Sequence, residues 1–564
     1  MAKLYKYSIE LLILISLIIS ILFYINFDKG IELSDESYLL LISLYPEEII
    51  GRANNSGIIG NLLLKIADFN IYYFRLLGAT LLFLVTVSLI NPISNFSQKT
   101  LNLEGFKKKY LFTICILGTL NYYHNWVITP SYDLYNLIGI LLFLSGIIKL
   151  IDISSINWKF LFPILLVVLG GLITFICKPT TSFFLIITYI FWIIYFFNLR
   201  RGIFIFLLSS ILSLLIFYIY VSIFFQNINL FLNDLNLGIE LKVLLDPRYS
   251  LFDNFISIIK QILFYYYTNF FYIFIFLVSL FFSKILIKNH FKSLAIFLIF
   301  LPLYFSDGFL LTLLFVILYY ILFDLHLTKI FFIKKNEINF LFYNFILIFL
   351  SYAYLVGTNT NAVILLKKAS IIIFLIILNF IIKYNFKKVF FFKKIDLFFL
   401  ILIMFTLKNL FYNFEKPRRY NESIYHQNKR ISLTNFNGHI YVDNTTFKFI
   451  NDLNEILLEH SWKNDNYLID LTGREPGLNI ITGAKFVSHP WWGSGYVGSE
   501  NKAAKLLSIS KTEVIKRSWI ITTDSQISLN PTILQVINLD INKNYQLIGT
   551  INKKSKNYFV WKPK

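Results

Sequence analysis

Long apolar runs constrain what this chain can fold into more than any other feature of its sequence. A helix that crosses a membrane needs about 20 mostly apolar residues, and runs of that kind recur from the N-terminus to residue 412. We therefore predict a polytopic α-helical membrane protein with about 13 transmembrane helices. The predicted spans are 8–27, 71–91, 110–128, 133–151, 160–177, 180–198, 203–225, 261–283, 291–306, 309–325, 338–356, 369–383 and 395–412.

The amino-acid composition supports a membrane protein and argues against a nucleic-acid-binding protein. Of the 564 residues, 57% are hydrophobic and 15% are charged, whereas soluble domains carry about 25% charged residues. The formal charge of +20 invites a nucleic-acid interpretation. However, most basic residues lie in short runs between apolar spans, where they set topology and meet anionic headgroups. We therefore expect no nucleic-acid partner.

Basic residues occur in every second connection between the predicted spans. This alternation follows the positive-inside rule if the N-terminus is cytoplasmic. Because the number of spans is odd, residues 413–564 then lie outside the cytoplasm. The basic connections contain Lys3 and Lys6, Lys107 to Lys109, Lys149 and Lys159, Arg200 and Arg201, Lys284, Lys288 and Lys292, Lys329, Lys334 and Lys335, and the lysines from Lys383 to Lys394.

The sequence divides into a membrane domain, residues 1–412, and a C-terminal domain, residues 413–564. In the second part, the strand-like pieces HIYVD, YLIDL, SWIITTD and YFVW alternate with helical patterns at 447–460 and 501–507. This alternation predicts a small extracytoplasmic α/β domain. The membrane domain has two long external loops, 28–70 and 226–260. In the first, DESYLLLISLYP and IIGNLLLKIADF predict short amphipathic helices at the membrane interface.

The first external loop begins with an acidic stretch, IELSDESY at 31–38, which contains Glu32, Asp35 and Glu36. A segment that only had to cross a membrane would need no carboxylates there. A carboxylate at this position can act as a general base toward an acceptor hydroxyl or amine. We predict that Asp35, helped by Glu36, faces a reaction centre. The alternative is a solvated loop with incidental charge.

The next two external connections add further polar candidates. The segment YYHNWVITPSYDLYN supplies His124, Tyr132 and Asp133, and the turn FICKPTTS supplies Lys178. Ionisable residues at membrane depth are costly and usually functional, and a lysine beside a carboxylate can neutralise a phosphate leaving group. The alternatives are that Lys178 snorkels to the interface and that Trp126 is an aromatic belt residue.

Arg75 and a Gly-rich loop of the C-terminal domain could each have either a functional or a purely structural role. Arg75, early in the second span, is either buried and paired with a carboxylate of the first loop or an interface anchor. In the C-terminal domain, a Gly-rich loop gathers aromatic and basic side chains on which a sugar ring could stack. Alternatively, its tryptophans pack the domain onto the membrane part. The loop residues are Arg474, His489, Trp491 and Trp492.

Several of these segments together resemble a known family. They are the acidic pair after the first span, FRLLGATLLFL, TPSYDLYNLIGILLF, the KPTT turn, GTNTN at 357–361 and the tail phrase DLTGREPGLNIITGAKFVSHPWWGSGY. The chain resembles multi-spanning glycosyltransferases of the GT-C fold. Within that fold it is most similar to the branch of protein O-mannosyltransferases and lipid A aminoarabinose transferases.

The resemblance implies a function and a set of roles. A sugar would move from a polyprenyl-phosphate donor to an envelope acceptor, which is a glycolipid, a glycan or a protein. The reaction would take place at the outer face of a bacterial inner membrane. Asp35 would be the catalytic base, Glu36 the paired acid and Asp133 the second-loop acid. Lys178 and Arg75 would bind the donor phosphate. Some members use a divalent metal and others do not.

Other classes remain open at this point. A surface-polysaccharide ligase or polymerase would carry its main functional loop late in the chain, with arginines in it. A lipid or saccharide transporter would need polar residues at mid-membrane depth and usually repeated halves. A non-catalytic membrane scaffold is the third alternative. No HExxH, CxxC, Walker or dinucleotide-binding pattern occurs, so ATP-driven transport and redox chemistry have no local support.

Overall fold

The structure is a computed structural model, and it describes residues 8–103, 106–153, 158–246, 251–268, 335–357, 360–383, 394–554 and 556–564. Up to Glu415 the main elements of the described residues are helices, and an α/β unit follows. The helices of the first part are α1 (Ser8–Tyr24), α2 (Asp35–Leu44), α3 (Ser56–Ile66), α4 (Ile71–Ser88), α5 (Ile90–Lys99), α6 (Lys108–Tyr122), α7 (Tyr132–Asp152), α8 (Leu161–Cys177), α9 (Pro179–Phe196), α10 (Leu199–Phe225), α11 (Ile228–Leu245), α12 (Leu251–Thr268), α13 (Lys335–Leu355), α14 (Ala362–Lys368), α15 (Ser370–Lys383) and α16 (Lys394–Glu415).

Seven described helical segments are long and apolar enough to cross a membrane. The pair α14 and α15, bent by 74° at its break, raises the number to eight if it is one span. The chain is therefore a polytopic helical membrane protein. The predicted spans 291–306 and 309–325, and most of 261–283, lie outside the described residues, so the count of thirteen stays a prediction. The seven segments are Ile71–Lys99, Tyr132–Asp152, Trp158–Cys177, Pro179–Phe196, Leu199–Phe225, Lys335–Leu355 and Phe398–Glu415.

The two long predicted loops are largely helical. The expected helices of the first loop are confirmed as α2 and α3. In the second predicted loop, 226–260, α11 occupies 18 residues and α12 begins at Leu251. Asn227 starts α11, since its side chain accepts a hydrogen bond of 2.9 Å from the backbone N–H of Leu230 and so satisfies one of the free donors at a helix start.

The C-terminal unit contains a five-stranded sheet in the order β4-β3-β5-β7-β6. Strands β3, β4 and β5 run parallel, whereas β7 is antiparallel to both β5 and β6. All four strand-like pieces predicted from sequence are strands here. The elements are β1 (Lys429–Ile431), β2 (Ile440–Val442), α17 (Asn444–Glu459), β3 (Tyr467–Asp470), α18 (Gly477–Thr482), β4 (Lys485–Phe486), α19 (Ser499–Ile509), α20 (Thr512–Arg517), β5 (Trp519–Thr523), α21 (Ile541–Asn544), β6 (Tyr545–Lys553) and β7 (Lys556–Pro563).

The first loop is packed between the membrane part and the C-terminal unit. Leu40 and Leu41 of α2 belong to one buried cluster with Ile480 and Phe486. The backbone N–H of Gly477 donates to the carbonyl of Leu33 at 2.8 Å. Helix α19 packs on α11 in the same way. The acidic start of α2 therefore lies where the two parts of the chain meet.

Candidate functional site

Glu36 and Arg75 form a buried ion pair at this junction. The Arg75 Nη2 atom lies 2.9 Å from Glu36 Oε1, and the two side chains are 0% and 1% exposed. Arg75 also donates to the carbonyls of Phe27 at 2.6 Å and Gly30 at 2.9 Å. Of the two interpretations of Arg75, the structure has the buried pair with a first-loop carboxylate.

The carboxylate of Glu36 accepts three further hydrogen bonds. Thr129 Oγ1 donates to Oε1 at 2.6 Å, and Tyr420 Oη and the backbone N–H of Glu32 donate to Oε2 at 3.0 Å and 3.1 Å. A buried charge is stable when it is paired and hydrogen-bonded in this way. Both oxygens of Glu36 are occupied by these contacts, which join the first loop, the second loop and the chain after α16. This geometry is that of a structural anchor.

Gly30 lets the chain pass over Tyr420 at this anchor. Its φ of +78° lies in the left-handed region that favours glycine. A Cβ atom at this position would lie 2.3 Å from Cε2 of Tyr420. A side chain there would displace the Tyr420 ring and with it the hydrogen bond to Glu36.

Asp35 differs from its neighbour because it faces solvent. Its side chain is 43% exposed, and it pairs with Arg418 Nη2 at 3.1 Å and with Arg419 Nη1 at 2.8 Å. Arg419 also lies 3.7 Å from Glu32. Burial raises the pKa of Glu32, and the charge of Asp35 raises it further. Asp35 is thus an accessible carboxylate beside two guanidinium groups.

Asp133 holds two lysines deeper in the protein. Its Oδ2 atom lies 2.7 Å from Lys368 Nζ, and its Oδ1 atom lies 3.8 Å from Lys178 Nζ. Lys178 also donates to the carbonyl of Tyr354 at 2.8 Å. All three ionisable side chains are buried. The structure therefore brings together two of the candidates, Asp133 and Lys178, and adds Lys368.

Interrupted helices position these lysines. Lys178 separates α8 from α9, where Pro179 supplies the fixed φ that suits the first position of a helix. Lys367 and Lys368 end α14, immediately before its 74° break from α15. Broken helices in membrane proteins commonly form binding sites, because their ends present charges and free backbone groups to a cavity.

Arg418 and His124 complete the cluster. The charge of Arg418 acts on both Asp133 and His124. Burial lowers the pKa of His124 well below its usual range, and the charges of Lys367, Lys368 and Arg418 lower it further. His124 is therefore neutral, and within the described residues neither of its ring nitrogens has a hydrogen-bond partner. We call Asp133, His124, Lys178, Lys367, Lys368 and Arg418 the basic cluster.

The basic cluster is rich in cationic side chains. It contains four cationic residues and the carboxylate of Asp133, and one of the four, Arg418, is also paired with Asp35. Most of these groups are shielded from water. Concentrated positive charge in a low-dielectric site attracts an anion strongly. Lysine and arginine together are the side chains that bind phosphate groups. The basic cluster therefore contains the kinds of side chain that bind phosphate, and Arg418 joins it to Asp35.

Two aromatic residues of the second loop take different positions. Tyr132 is half-buried at the start of α7, directly before Asp133 of the basic cluster. Trp126 does not face the lipid, so the alternative that it is an aromatic belt residue does not hold. It is buried against Phe23 and Phe414, with ring centroids 5.4 Å and 5.0 Å away. The aromatic side chains of α1 and α16 enclose it.

The Gly-rich loop of the C-terminal unit does not present all of its predicted residues to a ligand. Trp492 is buried in the core between α11 and α19 and has no free face for a sugar ring. Trp491 is half-buried. Arg474 donates to the carbonyl of Ser494 at 2.6 Å. His489 is buried and stacks on Tyr38 of α2 with ring centroids 6.0 Å apart.

Sequence reasoning missed several cations of this region. Lys367 and Lys368 precede the predicted span 369–383, and Arg418 and Arg419 follow the last predicted span. Both pairs lie on the predicted external side, where the positive-inside rule expects few basic residues. This departure from the rule was a signal in the sequence that could have identified them.

Among the described residues, no group of three or more His, Cys, Asp and Glu side chains could hold a metal ion. The possible divalent metal therefore stays a prediction of the family resemblance. Comparison with known proteins gives no assignment either: no protein-family model, no curated protein and no solved structure matches this chain.

Proposed function

We propose that this protein is a membrane glycosyltransferase of the GT-C type. It transfers a sugar from a polyprenyl-phosphate donor to an envelope acceptor at the extracytoplasmic face of a bacterial inner membrane. The acceptor is a glycolipid, a glycan or a protein. The N-terminus lies in the cytoplasm and the C-terminal unit lies outside. The reasons are the basic cluster, the exposed carboxylate beside it and the sequence resemblance described above.

The observation that carries this proposal is the position of Arg418. Its guanidinium pairs with Asp35 at 3.1 Å, and its charge also acts on Asp133 in the basic cluster. A candidate base and a candidate phosphate site thus share one residue. Transfer from a lipid phosphate needs both, because the acceptor must lose a proton while the leaving phosphate gains charge.

In the proposed reaction, Lys178, Lys367, Lys368 and Arg418 bind the donor phosphate. Asp35 accepts the proton of an acceptor hydroxyl or amine. The acceptor atom then forms a bond to the anomeric carbon of the sugar, and the bond from that carbon to the phosphate oxygen breaks. Polyprenyl phosphate leaves with its negative charge stabilised by the four cations.

The ion pair of Asp35 gives this scheme an order of events. In the resting protein, Arg418 and Arg419 occupy the carboxylate oxygens of Asp35. A phosphate group entering the basic cluster competes for Arg418, because an exposed ion pair contributes only about 0–1 kcal/mol. Donor binding therefore frees one oxygen of Asp35 for the acceptor.

Asp133 has a positioning role in the proposal. It lies between Lys178 and Lys368 and holds both amino groups in place. Glu36 and Arg75 act further from the reaction, since they fix the loop that carries Asp35. These assignments leave Asp35 as the single catalytic base.

A surface-polysaccharide ligase is the second candidate. It is favoured by one observation, the arginine pair Arg418 and Arg419 late in the chain, next to the candidate base. The donor separates the two candidates. A ligase would transfer an oligosaccharide from a lipid diphosphate, and the proposed enzyme would transfer one sugar from a lipid monophosphate.

The test is reconstitution of the full chain in vesicles with an envelope extract from cells lacking the protein. One set of vesicles contains radiolabelled polyprenyl-phosphate sugars, and a second set contains radiolabelled lipid-diphosphate oligosaccharides. We expect label to move to one acceptor class, and mass spectrometry of envelope glycolipids and glycoproteins should show the same product lost in those cells. Transfer only from lipid-diphosphate oligosaccharides would favour the ligase, and no transfer from either donor would contradict both.

A further inference from the structure

Helix α11 begins directly beside a membrane-spanning helix. Only Gln226 and Asn227 separate it from α10, which is long and apolar enough to cross a membrane. The ring of Phe231, in the first turn of α11, lies 5.1 Å from that of Phe225 at the end of α10. It also lies 6.3 Å from the ring of Phe175, near the end of α8. The start of α11 is therefore level with the ends of two membrane spans.

One face of α11 is apolar and exposed. Four of its side chains, each between 42% and 50% exposed, form this face. Because successive residues of a helix are about 100° apart, the four fall within about 60° of arc. They run from the first residue of α11 to the last turn. We call these residues, Ile228, Leu232, Ile239 and Val243, the apolar stripe.

The rest of α11 is divided between the protein interior and water. Phe231, Gly238 and Leu241 are buried on a second face. Asn229 and Asn233 are exposed, and they lie about 100–140° around the helix from the first residue of the stripe. A helix with an apolar face and a polar face can lie in the plane of the membrane interface, with the apolar face in lipid.

The apolar stripe continues the exposed surface of α10. Only 17% of the residues in the apolar stretch of α10 are buried, the lowest share among the seven described spanning segments. Its exposed side chains near the connection to α11 include Tyr218 and Ile223, and Ile228 follows them. A contiguous exposed apolar surface marks a protein or membrane interface. Since the α10 part of this surface faces lipid, lipid is the occupant that fits its continuation.

Another exposed apolar residue lies beside the far end of α11. Val497 is fully exposed in the Gly-rich loop, and the backbone N–H of the next residue, Gly498, donates to the carbonyl of Leu245 at 3.1 Å. In the same loop, the half-buried rings of Trp491 and Tyr496 have centroids 5.9 Å apart. Trp and Tyr are the aromatic residues enriched at membrane–water interfaces. The loop therefore has the composition of a membrane-contacting loop.

We propose that the apolar stripe and the loop tip at Val497 lie in the lipid interface and hold the C-terminal unit against the bilayer. The partner is the phospholipid surface itself, because the stripe offers apolar contact and no recognition of a headgroup. On another face of α11, Leu241 packs in one cluster with Trp492 and Leu506 of the C-terminal unit. The helix thus contacts lipid on one face and the C-terminal unit on another. The inference does not depend on the proposed function.

The test places spin labels on the full chain in phosphatidylcholine nanodiscs. Ile239→Cys puts a label on the apolar stripe, and Val497→Cys puts one on the loop tip. Asn233→Cys is the matched control, because it lies on the polar face of the same helix, about 120° from position 239. The native Cys115 and Cys177 are buried, so the chain without a new cysteine gives the labelling background.

Collisions of each label with oxygen, which enters lipid, and with a water-soluble nickel chelate measure its depth. We expect the labels at 239 and 497 to lie about 5–10 Å into the boundary between headgroups and acyl chains, and the label at 233 to lie in water. Leu232→Cys repeats the measurement if Ile239→Cys fails to fold.

Three results would count against the proposal. Equal contact with the nickel chelate at positions 239 and 233 would overturn it. Strong dipolar coupling between labels at position 239 of two copies would assign the stripe to a second copy of the chain and would also overturn it. Contact with water at position 497 alone would remove the loop tip from the lipid-binding surface.

Discussion

Arg418 pairs with the carboxylate of Asp35 at 3.1 Å, although Arg418 follows the last described membrane helix and Asp35 starts the second helix of the chain. The contact brings the end of the membrane part onto its first external loop. It also places Asp35 beside a cation whose charge acts on Asp133, the carboxylate that pairs with Lys178 and Lys368. The predictions below test what each of these groups does.

Glu36→Gln should destabilise the protein. The substitution leaves the guanidinium of Arg75 buried without its counter-charge, and breaking a buried pair from one side costs about 3–5 kcal/mol. We expect a lower thermal midpoint and a lower yield of monodisperse protein in fluorescence-detected gel filtration. Asp35→Asn is the comparison, because an exposed pair contributes about 0–1 kcal/mol. Equal melting of the two variants would show that Glu36 is not an anchor.

Lys178→Met should weaken donor binding. The amino group of Lys178 belongs to the four cations proposed for the phosphate, and removing one buried charged partner costs about 2–5 kcal/mol in comparable complexes. We expect the Kd for a polyprenyl phosphate to rise by about 30-fold or more. Lys383→Met removes a lysine at the far end of α15 and should leave the Kd unchanged. A similar loss in both variants would point to general charge and not to this site.

The charge of Lys502 should make stability depend on pH. Burial and, to a smaller extent, the charge of Lys242 lower the pKa of Lys502 to about 7. In the unfolded chain this lysine is exposed to water and its pKa is higher. Above about pH 7 the unfolded state therefore binds more protons than the folded state, and the free energy of unfolding rises with pH. Lys502→Met removes the buried charge. It should raise the thermal midpoint relative to wild type at pH 6, with a smaller difference at pH 9.

The control for this prediction is Lys505→Met on the same helix. Lys505 is half-buried and paired with Glu240, so its substitution should shift the midpoint little and equally at both pH values. A difference between wild type and Lys502→Met that is constant from pH 6 to pH 9 would show that Lys502 keeps an ordinary pKa.

Reporter fusions should place the C-terminal unit outside the cytoplasm. Alkaline phosphatase fused after Lys564 should be active, and the same enzyme fused after Lys109 or Arg201 should be inactive, because these positions lie in connections predicted to be cytoplasmic. Activity in the opposite pattern would put Asp35 and the basic cluster on the wrong side for a reaction outside the cytoplasm.

The sequence predicts much of this fold for simple reasons. Apolar runs long enough to cross a membrane become helices because backbone groups in lipid must be satisfied within the segment. Short β-branched pieces such as SWIITTD become strands, here β5, because such residues pack well on a sheet. The helix α11 was missed because its apolar residues are interrupted by polar ones, and no single long run marks it.

The site was harder to predict, because its contacts join distant parts of the chain. Asp35 and Glu36 are adjacent, yet one faces solvent and the other is buried with Arg75. Successive residues of a helix point about 100° apart, but the sequence does not say which direction is inward. That choice depends on Thr129 and Tyr420, which lie far away in sequence.

The most direct measurement of the central claim is the transfer rate of Asp35→Asn with a labelled polyprenyl-phosphate sugar in reconstituted vesicles. Removing a general base lowers rates by about 10²–10⁴-fold, so we expect a loss of at least about 100-fold with folding and phosphate binding intact. Glu47→Gln, an exposed acid of the same loop, should keep the wild-type rate. A wild-type rate in Asp35→Asn would contradict the account.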